Sequence, residues 1–398
     1  MSKRKSRTDV ETNKLRTKIR TEMLSKQPDF WLLLVVLLLL GIGTMMVFSA
    51  SSASAYSKRD DATAYDILSS QIGYAIGGVA LMLFVSIFDY QLIGRFTFLF
   101  YGATLVLLVL VQTPLGRVYN GARRWLSLGI EFQPSELLKL AAVMYMAYVL
   151  SHPKIREKSI RLWGLLIYGI PLAIGLLLII IQPHISCIVI IGGMVVMMMF
   201  VGGVKGPTFI LGISMVAVCG GAVAIWAVSS GALDFQYIGN RFNTFLHPEQ
   251  DPTGGSYQIL QSLYAIGSGG LFGRGFGQSI QKYLYLPEPY NDFIFSVLAE
   301  ELGFIGVAIV VILFIVLIMR GYKISSYAPD RYGSLLAFGI TTNIAIQVVM
   351  NIAVVSNFIP VTGVSLPFFS YGGTALLILM VNMGLLLNIS KQSKYPKF

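Results

Sequence analysis

QSIQKYLYLPEPYNDFIFSVLAEELGF, residues 278–304, decides how the chain is read. Its first half is polar and aromatic, with Pro287 and Pro289, and from Phe293 it becomes an apolar, helix-like run. Asp292 stands at the junction, and Glu300 and Glu301 follow inside the run. At about 1.5 Å per residue the two glutamates lie roughly 12–14 Å deeper than Asp292. Acids at that depth in a membrane helix face a protein interior or a wet cavity. Asp292 itself has two readings, a helix N-cap or a working carboxylate at the mouth of a bundle. A turn of about 100° per residue puts Glu300 near 80° from Asp292 and Glu301 near 180°. Glu300 is therefore expected on the working side, and Glu301 against another helix.

The surrounding chain fixes the setting. Of 398 residues, 55% are hydrophobic and 12% charged, and stretches such as 30–46 and 170–181 have almost no polar side chains. These runs are long and continuous rather than alternating, which selects helices over a barrel. The expected fold is all-α, a polytopic membrane protein with ten transmembrane helices. The spans fall at about 30–50, 68–88, 97–112, 134–151, 162–182, 184–202, 207–229, 293–319, 334–355 and 367–390 by hydropathy. With the N-terminus inside, the inner segments hold 21 Lys/Arg and the outer ones 8. That asymmetry gives an N-in, C-in topology. Residues 1–29, with nine Lys/Arg and four acids, form a cytoplasmic basic disordered tail. The membrane domain covers 30–390, and 391–398 is a second cytoplasmic tail. The net charge of +11 thus follows topology, and no nucleic acid partner is expected. Cys187 and Cys219 lie in apolar runs, and His152, His184 and His247 are scattered, so neither a disulfide framework nor a metal cluster is indicated.

Two outer segments are long and polar, 113–133 and a large loop between spans seven and eight, 230–292. The large loop carries Arg241, Asp251 and GSGGLFGRGFG at 267–277. Without a GK[ST] ending the glycine run is no nucleotide loop. It reads as a re-entrant or cavity-lining turn with Arg274 as a phosphate contact. In the shorter segment, Arg123 and Arg124 beside Trp125 either clamp phosphate or anchor the bundle at the interface. Pro134 and Glu136 suit a helix start. Lys139, one turn further in, lies at the wrong end of the dipole and needs an acid: Glu136, Asp292 or a lipid phosphate. Taken as a lone buried charge, Lys139 is expected to be replaceable by Met with more damage to activity than to fold. His184 reads as a hydrogen-bonded helix-start residue rather than a ligand. PVTGVSLPFFSYGGT, 360–374, is an irregular turn between two spans.

Three separated motifs, GARRWLSLGIEFQPSELLKL (121–140), KYLYLPEPYNDFIFSVLAEELGF (282–304) and IPVTGVSLPFFSYGGTALL (359–377), together resemble the SEDS family of cell-wall polymerases, which comprises FtsW, RodA and SpoVE. The likeness covers nearly all of the chain after residue 30. YLPEPYNDFIF, NIAVVSNFIPVTG and the basic tail are most similar to the division and sporulation members, FtsW above all. Asn357-Phe358 departs from the Gly-Leu usual before IPVTG. The resemblance implies a ten-helix peptidoglycan glycosyltransferase that polymerises lipid II, with Asp292 as the essential acid. It carries Arg123, Trp125, Glu136 and Lys139 into the site, and it implies a class B penicillin-binding protein and other divisome membrane proteins as partners. Glycosyl transfer from a diphosphate lipid needs a base and positive charge on the leaving group. Asp292 supplies the first; Arg123, Lys139, Arg274 or a divalent cation (Mg2+ or Mn2+) supplies the second. A carboxylate at a helix N-terminus is held as the anion, which favours a ligand role over a base role for Asp292. A lipid II flippase and a scaffold for the transpeptidase are the rival classes.

Overall fold

The computed structural model describes residues 27–57, 64–119, 122–127, 131–153, 162–182, 184–204, 206–207, 209–210, 214, 244–250, 256–283 and 285–393. Most of the expected seventh span, 207–229, lies outside them, as do Arg241, Asp251, Cys219 and most of both tails. The helices in order are α1 (Phe30–Ser57), α2 (Ala64–Val85), α3 (Tyr90–Arg95), α4 (Thr97–Leu110), α5 (Pro134–Ser151), α6 (Leu162–Ile181) and α7 (Ile185–Val201). They continue with α8 (Tyr257–Ser268), α9 (Ile294–Ser326), α10 (Arg331–Val355) and α11 (Gly373–Gln392). Five of them, α1, α2, α9, α10 and α11, are long and apolar enough to cross a membrane. The chain is a multi-pass helical membrane protein.

Three differences from the expected pattern matter. The final helix starts at Gly373 rather than 367, because 359–372 stays irregular. The segment expected as a plain outer loop contains a three-stranded antiparallel sheet, β1 (Gly116–Tyr119), β2 (Ala122–Ser127) and β3 (Glu131–Phe132). The large loop contains α8, an amphipathic helix with Ile259, Ser262 and Ala265 buried.

Helices α5 and α10 form the middle of the bundle: 14 residues of α5 are buried, including the unbroken run Leu138–Ala147. Around them α2 and α4 turn Ile76, Phe84, Leu99 and Val106 outward, as lipid-facing helices do. Helix α2 packs on α11 through small residues; a Cβ on Gly384 would stand 2.6 Å from the Met82 carbonyl oxygen. The first nine residues of α9 are buried almost throughout. At Gly303 (φ 65°, ψ −169°) the helix breaks. The glycine run closes the break: Phe304 N–H donates to Gly270 O at 2.9 Å and Arg274 N–H to Glu300 O at 2.9 Å. Glycine is required on both sides of this contact, since a Cβ on Gly273 would lie 2.1 Å from the Glu301 oxygen and one on Gly303 2.2 Å from the Gly273 nitrogen. The expected re-entrant turn is thus a backbone strap across a broken helix, which satisfies peptide groups that lipid would leave unpaired.

Candidate active site

Asp292 lies in a turn, two residues before the first residue of α9. The N-cap of α9 is Phe293, with no side-chain cap bond, so the capping reading of Asp292 fails. Its turn is held by the irregular 359–372 segment and by α10 instead. Tyr371 N–H donates to Tyr290 O at 2.9 Å, and Ser370 Oγ donates to Asn291 O at 2.8 Å. Asn351 Nδ2 donates to Asp292 O at 2.9 Å and to Val364 O at 2.6 Å. The carboxylate lies against Gly363 (φ 64°), where a Cβ would sit 3.0 Å from Oδ2. Left-handed backbone at the non-glycine positions Glu288 (φ 51°), Asn357 (φ 56°) and Phe368 (φ 68°) surrounds this region. Such strain persists where the surrounding structure over-determines it.

The Asp292 carboxyl is pushed up to about 6, first by burial and then by the negative charge of Glu288, against the opposing pull of Arg124. Desolvation and Glu288 together outweigh Arg124, so the carboxyl holds its proton more tightly than an exposed aspartate does. Glu288 is itself tied to the turn, accepting from Asn291 Nδ2 at 2.6 Å.

Beside this turn a cavity of about 50 Å3 is lined by Glu136, Lys139, Asn343, Gln347, Tyr371 and Asn382, among others. That is room for a few waters. Lys139 is no lone charge: its Nζ stands 2.7 Å from Glu136 Oε2 and donates to Gln347 Oε1 at 3.1 Å. Glu136 therefore answers which acid it meets, and the reading of Lys139 as a lone buried charge is corrected. Removing the ammonium strands a carboxylate only 13% exposed.

Arg123, Arg124 and Trp125 lie on β2, where successive side chains alternate faces. Arg123 Nη1 donates to Gln112 O at 3.1 Å, and Arg124 Nε donates to Gln182 O at 3.1 Å. The two adjacent guanidiniums thus hold different segments of backbone. Arg124 is the one that acts on both Asp292 and His184. His184 is the N-cap residue of α7 but makes no side-chain cap bond, and its Nδ1 is buried without a partner among the described residues.

Glu300 and Arg274 form a different cluster. Glu300 is fully buried and accepts from Ser279 Oγ (2.5 Å), Ile280 N–H (3.0 Å) and Gln281 N–H (3.2 Å), with Arg274 Nε 3.5 Å away. Glu301 meets Lys282 Nζ at 2.9 Å and accepts from Ser49 Oγ of α1 at 2.6 Å. Glu301 reaches another helix, α1, as expected, and it also meets the folded-back loop through Lys282 and Ser279 N–H. Glu300 is corrected: it binds the 279–281 backbone rather than lining the working side, and Arg274 is its ion-pair partner. The angle argument had no information about the loop folding back over the helix.

The profile of the FtsW/RodA/SpoVE cell cycle protein family matches residues 30–395. The chain belongs to this family. Among its FtsW/RodA/SpoVE relatives is stage V sporulation protein E of Bacillus subtilis, 42% identical over 92% of this chain and 98% of that one. A probable peptidoglycan glycosyltransferase FtsW of Trichlorobacter lovleyi is 42% identical over 91% of this chain and 93% of that one. A solved family chain, described as "Structural coordination of polymerization and crosslinking by a peptidoglycan synthase complex", superposes with a TM-score of 0.73 at 27% identity, covering 92% of this chain and 98% of that one. What reading by motif missed is the role of 351–371: Asn351, Gly363 and Ser370 build the seat of Asp292. The available signal was irregular backbone between two spans, which is tolerated only where protein or a cavity covers it.

Proposed function

We propose that this protein is a peptidoglycan glycosyltransferase that polymerises lipid II on the outer face of the cytoplasmic membrane, in septal wall synthesis. The observation that carries the proposal is the Asp292 carboxyl, raised to about 6 and held beside Gly363, with Arg124 in electrostatic range and the Glu136–Lys139 pair in the adjoining cavity. A carboxylate titrating near 6 takes a proton from an attacking sugar hydroxyl at neutral pH. Arg124 and Lys139 offset charge developing on the departing diphosphate. The relatives' names support this reading, and the excess of Lys/Arg on the segments expected inside supports an outer site.

A divalent cation, Mg2+ or Mn2+, is the second source of positive charge in this reading, although among the described residues no three His, Cys, Asp or Glu side chains group as a metal site. Mg2+ commonly takes one or two carboxylates and completes its shell with water and substrate phosphate. Such an ion would stabilise the leaving diphosphate.

The partners in this reading are a class B penicillin-binding protein and other divisome membrane proteins; the coupling of polymerisation and crosslinking named for the solved relative supports the first. Equal identity to a stage V sporulation protein and to an FtsW favours a sporulation polymerase as the second reading. The deciding experiment reconstitutes the purified full-length chain, with a class B penicillin-binding protein, and supplies lipid II. Glycan strands that vanish in Asp292→Ala support polymerisation. Lipid II crossing the bilayer without strands would replace it by a flippase, and no action on lipid II by a scaffold.

A further inference from the structure

Three successive carbonyls of the turn before α9 are gripped from outside it: Tyr290 O by Tyr371 N–H, Asn291 O by Ser370 Oγ, and Asp292 O by Asn351 Nδ2. The first two donors belong to the 359–372 loop. Asn351 differs because it projects from α10, in the buried middle of the bundle, and is itself fully buried. Its amide also holds Val364 O, next to the Gly363 against which the Asp292 carboxylate lies. One side chain thus registers the carboxylate-bearing residue, the glycine that faces it and a rigid helix.

We propose that Asn351 is the positioning residue for Asp292, fixing its main chain so that the carboxylate stays seated at Gly363. The proposal rests on reading Asp292 as the reacting carboxylate. Asp292 lies outside the helix, and the other two donors hold the carbonyls before it, so the Asn351 bond is the one made to its own carbonyl. Removing the amide also takes the donor from the buried Val364 O and the part-buried Asp292 O, which drives the turn to rearrange toward water.

The test uses full-length Asn351→Ala, Asn351→Asp and Asn351→Gln proteins in nanodiscs. Asp keeps the shape and lacks the amide N–H; Gln keeps the donor. Two readouts are taken: lipid II polymerisation with a class B penicillin-binding protein, and the titration of 13C-labelled aspartate, with Asp292→Asn identifying the signal. Expected are a kcat lower by about a hundredfold in the Ala and Asp variants, as for an angstrom-scale misplacement, and partial recovery in Gln. KM for lipid II should stay within about threefold. The Asp292 titration should move from near 6 toward the ordinary aspartate range in Ala and stay in Gln. An unchanged titration in Asn351→Ala, or an activity loss that only tracks the folded fraction, overturns the positioning role. If wild-type protein makes no strands, the polymerase reading fails, and the titration still decides whether Asn351 positions Asp292.

Discussion

Two aspartates stand just before long helices at opposite ends of the bundle, and their fates differ. Asp330 is the N-cap of α10; its Oδ1 accepts from Gly333 N–H and from the Tyr90 hydroxyl. Around it the same end is closed by similar bonds: Asp29 caps α1 through Leu32 N–H and pairs with Arg320 at 3.6 Å, and Arg331 donates to the terminal carbonyls Leu150 O and Gly202 O. Asp292 is one residue too early to cap α9, and its carboxyl is raised to about 6 by burial and by Glu288. A carboxylate used for stability has donors on its oxygens. Asp292, the carboxylate proposed for chemistry, has its main chain held and its Oδ2 beside Gly363.

The sharpest break of this contrast is Asp292→Ala. Strand synthesis from lipid II should fall by at least about a hundredfold, with membrane insertion intact. Near-wild-type synthesis would put Asp292 in the same class as Asp330.

Next come the buried ion pairs. Lys139→Met leaves Glu136, and Lys282→Met leaves Glu301, without a cation; each should cost roughly 3–5 kcal/mol of stability. The pairs differ in activity. Lys139→Met should lose synthesis beyond its loss of folded protein, whereas Lys282→Met, Glu300→Gln and Glu301→Gln should not. Thermal melting in detergent alongside initial rates separates the two; a selective catalytic loss in Glu300→Gln would restore it to the working side.

A smaller effect concerns pH. Because folding raises the Asp292 carboxyl from its ordinary value to about 6, the folded state holds its proton more tightly. That contribution favours the fold at low pH and is lost as pH rises through about 6. Activity has the opposite sign, since the base works only when ionised: rates should rise through about 6 and level off above it. Asp292→Asn should therefore be inactive yet more stable at neutral pH, by roughly 1–3 kcal/mol. Glu288→Gln should move the acid limb of the rate profile downward, and an unmoved limb would remove Glu288 from the field at Asp292.

The smallest effect is at the capping end. Asp330→Ala should lower stability by about 0.5–2 kcal/mol and leave synthesis per folded molecule unchanged, measured by the same melting and rate assays.

Several features were determined by sequence alone. Continuous apolar runs dictated membrane helices, because peptide groups in lipid must pair within their own segment. Asp292, Glu136 and Lys139 were legible because charge near or inside an apolar run is costly and therefore conspicuous. That Glu301 reaches another helix was expected from helical angle. Tertiary structure alone decided what each charge meets. Nothing near Glu300 in the chain shows that residues 279–281 fold back onto it, or that Gly303 breaks the helix where the glycine strap crosses. Nothing near Asp292 shows that Asn351, 59 residues on, holds its carbonyl. Local sequence specifies helix, depth and face because those depend on the dihedrals and solvation of neighbouring residues. Hydrogen-bond partners and desolvation depend on which distant segments share the space, and only the closed bundle brings those segments together.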